Sequence, residues 1–257
     1  YAGHYIPVIA FYINKYNHDY GAIKNVIHIN IESILIGNGL VNPLVQFEYF
    51  SDIACDSSYG PVLNRSTCNQ LRKDCKKCIK LTKTCYASKN IMDCITAEKY
   101  CYDKLFISFR ISGKNIQDIR KPCNYSNAFC YPELQNIVKY SNLEDVKIEL
   151  GVNSSLVYQI ENFNIRTGFI NSCDAAYDCN WLGIDAWTKA LHWSGTKGFN
   201  DAKVYPWITS SGNYSGNIRT FKGFTFLKIL NAGHLVPHDQ PVSSLDFFNR
   251  WIFKKEL

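Results

Sequence analysis

Phe224-Thr225-Phe226-Leu227-Lys228-Ile229-Leu230-Asn231-Ala232-Gly233-His234-Leu235-Val236-Pro237 reads as two parts of one unit. Residues 224–230 carry the aromatic and β-branched content of a strand. Asn231 to Pro237 break that pattern and carry a histidine. Pro241 then suits a helix start, and Val242 to Ile252 put Leu245, Phe248 and Trp251/Ile252 on one stripe. Strand, histidine loop, helix is an order that holds an imidazole at the end of a strand. An imidazole titrates near neutrality, so it can take a proton from a weak hydroxyl nucleophile and return it to a leaving group. A lone loop histidine is more often structural, so the rest of the chain must decide.

Two further stretches do so. The chain opens Tyr1-Ala2-Gly3-His4-Tyr5-Ile6-Pro7, and Cys179-Asn180-Trp181-Leu182-Gly183 runs on to Ala186-Trp187-Thr188. With the Gly233-His234-Leu235-Val236-Pro237 loop they resemble the serine carboxypeptidases, most closely the fungal vacuolar type. The resemblance covers nearly the whole chain. It implies an α/β-hydrolase core with an incomplete central sheet and an inserted, disulfide-rich, mainly helical cap. It also implies removal of C-terminal residues from peptides by a Ser-His-Asp triad.

Carried over by position, the resemblance makes His234 the triad base and puts the nucleophile directly before Tyr1. The Tyr1 amide then forms half of the oxyanion hole. The family's acid stands three residues before Cys179, where this chain has Ala176. Asp178 and Asp174 flank that position and are the candidates for a displaced acid. The second oxyanion donor and the groups that grip the substrate carboxylate fall on family segments absent from these residues. Leu40, Tyr131, Leu134, Cys179 and Leu235 fall where the family lines its subsites, so hydrophobic residues are expected near the scissile bond. His4 and His238 are read as structural.

Composition bounds the alternatives. A length of 257 residues suffices for a substantial core. Net charge is +6, with basic residues scattered apart from Arg72-Lys73-Asp74-Cys75-Lys76-Lys77, which argues against nucleic acid. No apolar run approaches the ~20 residues of a membrane span. No signal peptide is visible, but the chain begins inside a motif, so its true N-terminus is out of view. Nine of the eleven cysteines lie between Cys55 and Cys130, which points to an oxidising compartment. Sequons at Asn64, Asn124, Asn153 and Asn213 agree with a secretory route to vacuole, lysosome or exterior. Cys75-x-x-Cys78 has zinc-like spacing, but no second pair or paired histidine follows, so no metal and no cofactor is expected. The partner implied is the C-terminus of a peptide; oligomeric state has no signature.

Three segments follow: hydrolase core at 1–41, cap at 42–170, and core with the histidine at 171–257. In the first, Ile6 to Ile13 is apolar and of helical length, and Asn14 to Asn25 is polar. Ile31-Glu32-Ser33-Ile34-Leu35-Ile36 reads as a buried strand of a parallel sheet, ended by Gly37-Asn38-Gly39. The cap's helices are expected to be short. The resemblance pairs Cys55–Cys68, Cys78–Cys101, Cys85–Cys94 and Cys123–Cys130, each stabilising by ~2–4 kcal/mol. That leaves Cys75, Cys173 and Cys179, either as plain thiols or with a Cys75–Cys173 bridge.

The chain departs from the family pattern in two more places. A family cysteine tying cap to core falls at Glu161. Between Phe163–Phe169, which resembles the end of the cap, and Cys179 the family has a helix and a buried strand. The few residues from Ile170 to Asp178 cannot traverse both. With the serine outside these residues and the acid out of register, the expectation is an incomplete carboxypeptidase chain, inactive by itself. The alternatives are a non-catalytic homologue that binds peptides or a partner, and an acyltransferase or lyase of the same fold.

Overall fold

The computed structural model describes residues 2–21, 23, 26–123, 130–160 and 180–257. Helix α1 spans Ala2–Tyr20, longer than its apolar half. No glycine or proline interrupts residues 8–20, and Lys15 pairs with Asp19 one turn on. Pro7 donates no amide to the Gly3 carbonyl.

Residues 31–36 do not form the strand expected of them. They have no ladder partner among the described residues, and Ile34 and Leu35 are exposed. An inner parallel strand exists only through neighbours that take its amides and carbonyls. Just before it, a side chain of α1 acts as a strand edge: Asn17 donates to the Ile29 carbonyl (2.7 Å) and accepts the Ile29 amide (3.0 Å).

The helical region starts with α2 (Pro43–Gln46), a 3₁₀ turn and α3 (Phe50–Cys55). It continues through α4 (Arg65–Ser88), α5 (Ile91–Cys101), a π turn at Tyr102–Ile107 and α6 (Ser108–Arg110). At 24 residues α4 is not the short helix expected. Asn64 caps it by accepting the Thr67 amide (2.9 Å), no glycine or proline breaks it, and Lys89 ends it in the left-handed region (φ 54°). The disulfides among the described residues are Cys55–Cys68, Cys78–Cys101, Cys85–Cys94 and Cys123–Cys130, the pairs that the resemblance implies. Phe47, Phe50, Leu71, Leu105, Phe106 and Phe109 form the core of this region, and Leu40 belongs to it.

A hairpin of β1 (Lys114–Asn115) and β2 (Asp118–Pro122) follows, then α7 (Leu134–Ser141) and α8 (Glu144–Glu149). The C-terminal part opens with α9 (Trp181–Ala190), capped by Asn180, and α10 (Thr196–Asp201). Its sheet is antiparallel, in the order β3 (Tyr205–Ile208), β4 (Tyr214–Phe221), β5 (Phe224–Ile229). The β4–β5 turn is Lys222-Gly223, both at positive φ, which matches the right-handed strand twist. After β5 come the histidine loop, α11 (Val236–Asp239) and α12 (Pro241–Ile252), as the sequence reads. The stripe Leu245, Phe248, Ile252 is exposed, and α12 buries Ser243 and Ser244 instead.

Candidate active site

His234 stands in the six-residue loop between β5 and α11, half-buried. Its peptide groups are held from three directions. The Gly233 amide donates to Asp239 Oδ2 (2.7 Å), and the His234 amide donates to the Gln117 carbonyl (2.7 Å). Asn38 Nδ2 donates to the His234 carbonyl (3.0 Å) and, at longer range, to the Gly233 carbonyl (3.4 Å). Every backbone donor and acceptor of Gly233-His234 therefore has a partner.

Close approach dictates the glycine. A Cβ on Gly233 would lie 2.5 Å from the Gln117 carbonyl oxygen and 2.9 Å from Asp118 Cβ. The β1–β2 turn thus presses on the loop directly. Its own shape comes from Asn115, wholly buried, which accepts the Gln117 amide (2.8 Å).

Asp239 is gripped by charge. Its Oδ2 accepts from Arg120 (3.1 Å), and its Oδ1 accepts from Lys121 (3.0 Å) and lies 3.0 Å from His238 Nδ1. Arg120 also forks onto Asp118 at 2.7 and 2.8 Å. Burial pushes Asp239 up, but the Gly233 amide, His238 and Lys121 outweigh it and hold its carboxyl down at about 2. Asp118 is lowered in the same way: burial opposes, and the Arg120 guanidinium prevails.

The turn that carries Asn38 also carries the start of α1. Asn38 has φ 46°, which an asparagine tolerates. A Cβ on Gly3 would meet the Leu40 carbonyl oxygen at 2.3 Å, and one on Gly39 would meet Gly3 Cα at 2.8 Å. Gln46, 1% exposed, accepts the amides of Val41 (2.7 Å) and Asn42 (2.8 Å) and donates to the Gly39 carbonyl (3.1 Å). Gly183 of α9 rests on Gln46, where a Cβ would come 3.2 Å from its Cα. Residues from all three recognised motifs (Gly3, Gly183 and Gly233-His234) therefore touch Gln46 or the turn that it braces.

Of the other expected site residues, Leu40 is buried against Gly3, and Leu235 follows His234 half-buried. Tyr131 is buried, its ring edge-on to that of His238 at 5.4 Å. Leu134 opens α7, half-buried. Tyr1, Asp174, Asp178 and Cys179 lie outside the described residues, as do Cys173 and sequon Asn124. The side chains of Asn64, Asn153 and Asn213 are on exposed residues. Cys75 carries a free, buried thiol rather than a bridge, pushed up to about 12 by burial, which leaves it inert as a nucleophile. Asn38, Gln46, Gln117, Asp118, Arg120 and Asp239 are the members that sequence reasoning missed. Only the Gly37-Asn38-Gly39 turn signal pointed toward any of them. No helix among the described residues is long and apolar enough to cross a membrane.

The serine carboxypeptidase family profile matches residues 1–172 and 168–254. The two matches meet where the sequence is short of the family pattern. Carboxypeptidase Y of Candida albicans is 37% identical over 278 aligned positions, covering 98% of this chain and 49% of the relative. Carboxypeptidase Y homolog A of Pyrenophora tritici-repentis is also 37% identical, covering 98% and 50%. Carboxypeptidase Y of Schizosaccharomyces pombe is 36% identical, covering 98% and 28%. The chain thus spans about half the length of the first two relatives and less of the third. A family match along nearly its whole length, and a fold that gathers the motifs carrying that match onto one turn, show that the chain belongs to the serine carboxypeptidase family.

Proposed function

We propose that these residues are the histidine-bearing part of a serine-type carboxypeptidase that releases C-terminal residues from peptides. A serine directly before Tyr1 attacks the last peptide carbonyl, His234 takes its proton and returns it to the leaving amine, and the Tyr1 amide helps to hold the oxyanion. Asp178 or Asp174 orients the imidazole, since Ala176 cannot. Leu40, Tyr131, Leu134, Cys179 and Leu235 line subsites that favour apolar side chains.

One juxtaposition supports the reading most directly. The turn at 38–40 touches both Gly3, three residues past the proposed nucleophile, and the peptide groups of His234. A nucleophile on one and a base on the other would share one support. The four disulfides agree with an oxidising compartment, and exposed sequons at Asn64, Asn153 and Asn213 agree with glycosylation on the way to a vacuole, a lysosome or the exterior.

The test is labelling of the protein purified from its source with a fluorophosphonate, beside hydrolysis of N-blocked dipeptides. The expected result is label on a serine next to Tyr1, release of the C-terminal residue, and a loss on the order of 10⁴-fold or more in kcat for His234→Ala. A polypeptide restricted to residues 1–257 is expected to take no label. Absence of both label and hydrolysis in the native protein would overturn the proposal. Peptide binding without label would instead favour a non-catalytic homologue, for which Ala176 in the acid position speaks. Turnover of an acyl donor without hydrolysis would favour an acyltransferase.

A further inference from the structure

We propose that Asn38 and Asp239, with the β1–β2 turn, are positioning residues that clamp the backbone of Gly233-His234 and so set the direction of the His234 imidazole. The inference rests on the reading of His234 as the general base. None of these groups needs to touch substrate; each acts through the backbone of Gly233-His234.

The geometry carries the argument. Side-chain direction follows from backbone dihedrals and a rotamer, so a loop histidine is only as well aimed as its two flanking peptides. Gln117 and Asn38 hold the Gly233–His234 peptide, Asn38 also holds the carbonyl of the next one, and Asp239 holds the peptide just before them at the Gly233 amide. Each clamp has its own brace. Gln46 fixes the turn behind Asn38, Asn115 fixes the turn at Gln117, and Arg120 with Lys121 fixes Asp239. The acceptor for Gly233 is a charged carboxylate with a side chain 5% exposed, which makes a stronger and better-directed bond than a neutral oxygen.

Asn38→Gly and Asn38→Asp separate the amide from the backbone around it. Glycine keeps the left-handed φ without strain and removes both donors, and aspartate keeps the shape while turning the donor into an acceptor facing two carbonyls. Asp239→Asn keeps an acceptor for Gly233 and removes the charge that holds Arg120. Three measurements on the full-length protein read the effect: amide hydrogen exchange, kcat against KM, and the pH profile of kcat/KM. Both Asn38 variants are expected to speed exchange across residues 231–236 about tenfold or more, with β3–β5 unchanged. In them kcat is expected to fall roughly 100-fold with KM nearly unchanged, the signature of a misaimed base, and the acid limb of the profile to move. Asp239→Asn is expected to fall between them and wild type.

Unchanged exchange in both Asn38 variants would overturn the proposal. So would faster exchange with wild-type kcat. If the wild-type protein hydrolyses no peptide, the proposed function fails, and exchange alone still decides whether the clamp exists.

Discussion

Asp239 accepts four partners, and their balance makes a pH prediction. The side chain faces Arg120 and Lys121 from β2, the Gly233 amide, and His238 beside it. Asp118 shares the two cations, and Glu133 stands 3.6 Å from His238. With a folded value of about 2 and an ordinary value near 3.9, Asp239 is depressed on folding. A depressed carboxyl contributes stability that is present in full above its unfolded value and is lost as pH falls through the folded one. The urea midpoint of Asp239→Asn is therefore expected to lie below that of wild type by a constant gap from neutral pH down to about pH 5. The gap should narrow below about pH 4 and close near pH 2. A gap that is flat with pH, or that widens on acidification, would refute this assignment. Because Asp118 is lowered in the same direction, the doubly substituted chain should show the larger gap at neutral pH.

Helices α4 and α5 form a hairpin closed by two nested disulfides. Cys78–Cys101 spans 23 residues and encloses Cys85–Cys94, which spans 9. Loop closure restricts the unfolded chain more when the loop is longer, by roughly 0.5–1 kcal/mol for this pair of lengths. Replacing both Cys78 and Cys101 by serine is thus expected to lower the unfolding free energy more than the same change at Cys85 and Cys94. Chemical denaturation of the two double variants checks the order, and equal losses would contradict it. The hairpin also marks what sequence can reach. The β5–loop–α12 unit was legible because each part carries a local pattern: a β-branched run, a glycine-histidine break, a proline start. The disulfide pairs were legible through family spacing. Ile31–Ile36 looked equally clear and forms no strand, because strand identity depends on neighbours that a local window does not contain. The length of α4 was missed because its polar, lysine-rich surface masks an uninterrupted helix with a sound cap. The histidine clamp was beyond reach for a different reason. At least half of each bond in it is a backbone amide or carbonyl, and backbone groups have no sequence signature.

Those same bonds join the helical region to the histidine. Leu40 is packed in the core of α3, α4 and the π turn, with Phe50, Leu71 and Phe106. Gln46 of α2 ties the Gly39 carbonyl to that region, and Asn38 reaches from the turn to His234. The path from the disulfide-bonded helices to the backbone of His234 is therefore a run of packed contacts, with a hydrogen bond at each of its last two steps. The β3–β5 sheet has apolar packing of its own, with Trp207 and Ile218 buried and Phe224 against Phe199 of α10, and joins the path through α9, where Arg219 pairs with Asp185 (2.6 Å). Elements that share a core tend to open together, and elements with separate cores open apart. Mild reduction of the disulfides should accordingly raise hydrogen exchange in α4 and α5, then at residues 38–42 and 231–236, while β4 and β5 keep their protection. Loss of protection at 231–236 only together with β4 and β5 would mean that the loop follows its own strand instead. In that case the helices would be a bystander to the histidine. If protection at 231–236 falls with the helices, the disulfide-bonded region is a working part of the site, and its redox state sets how well His234 is held.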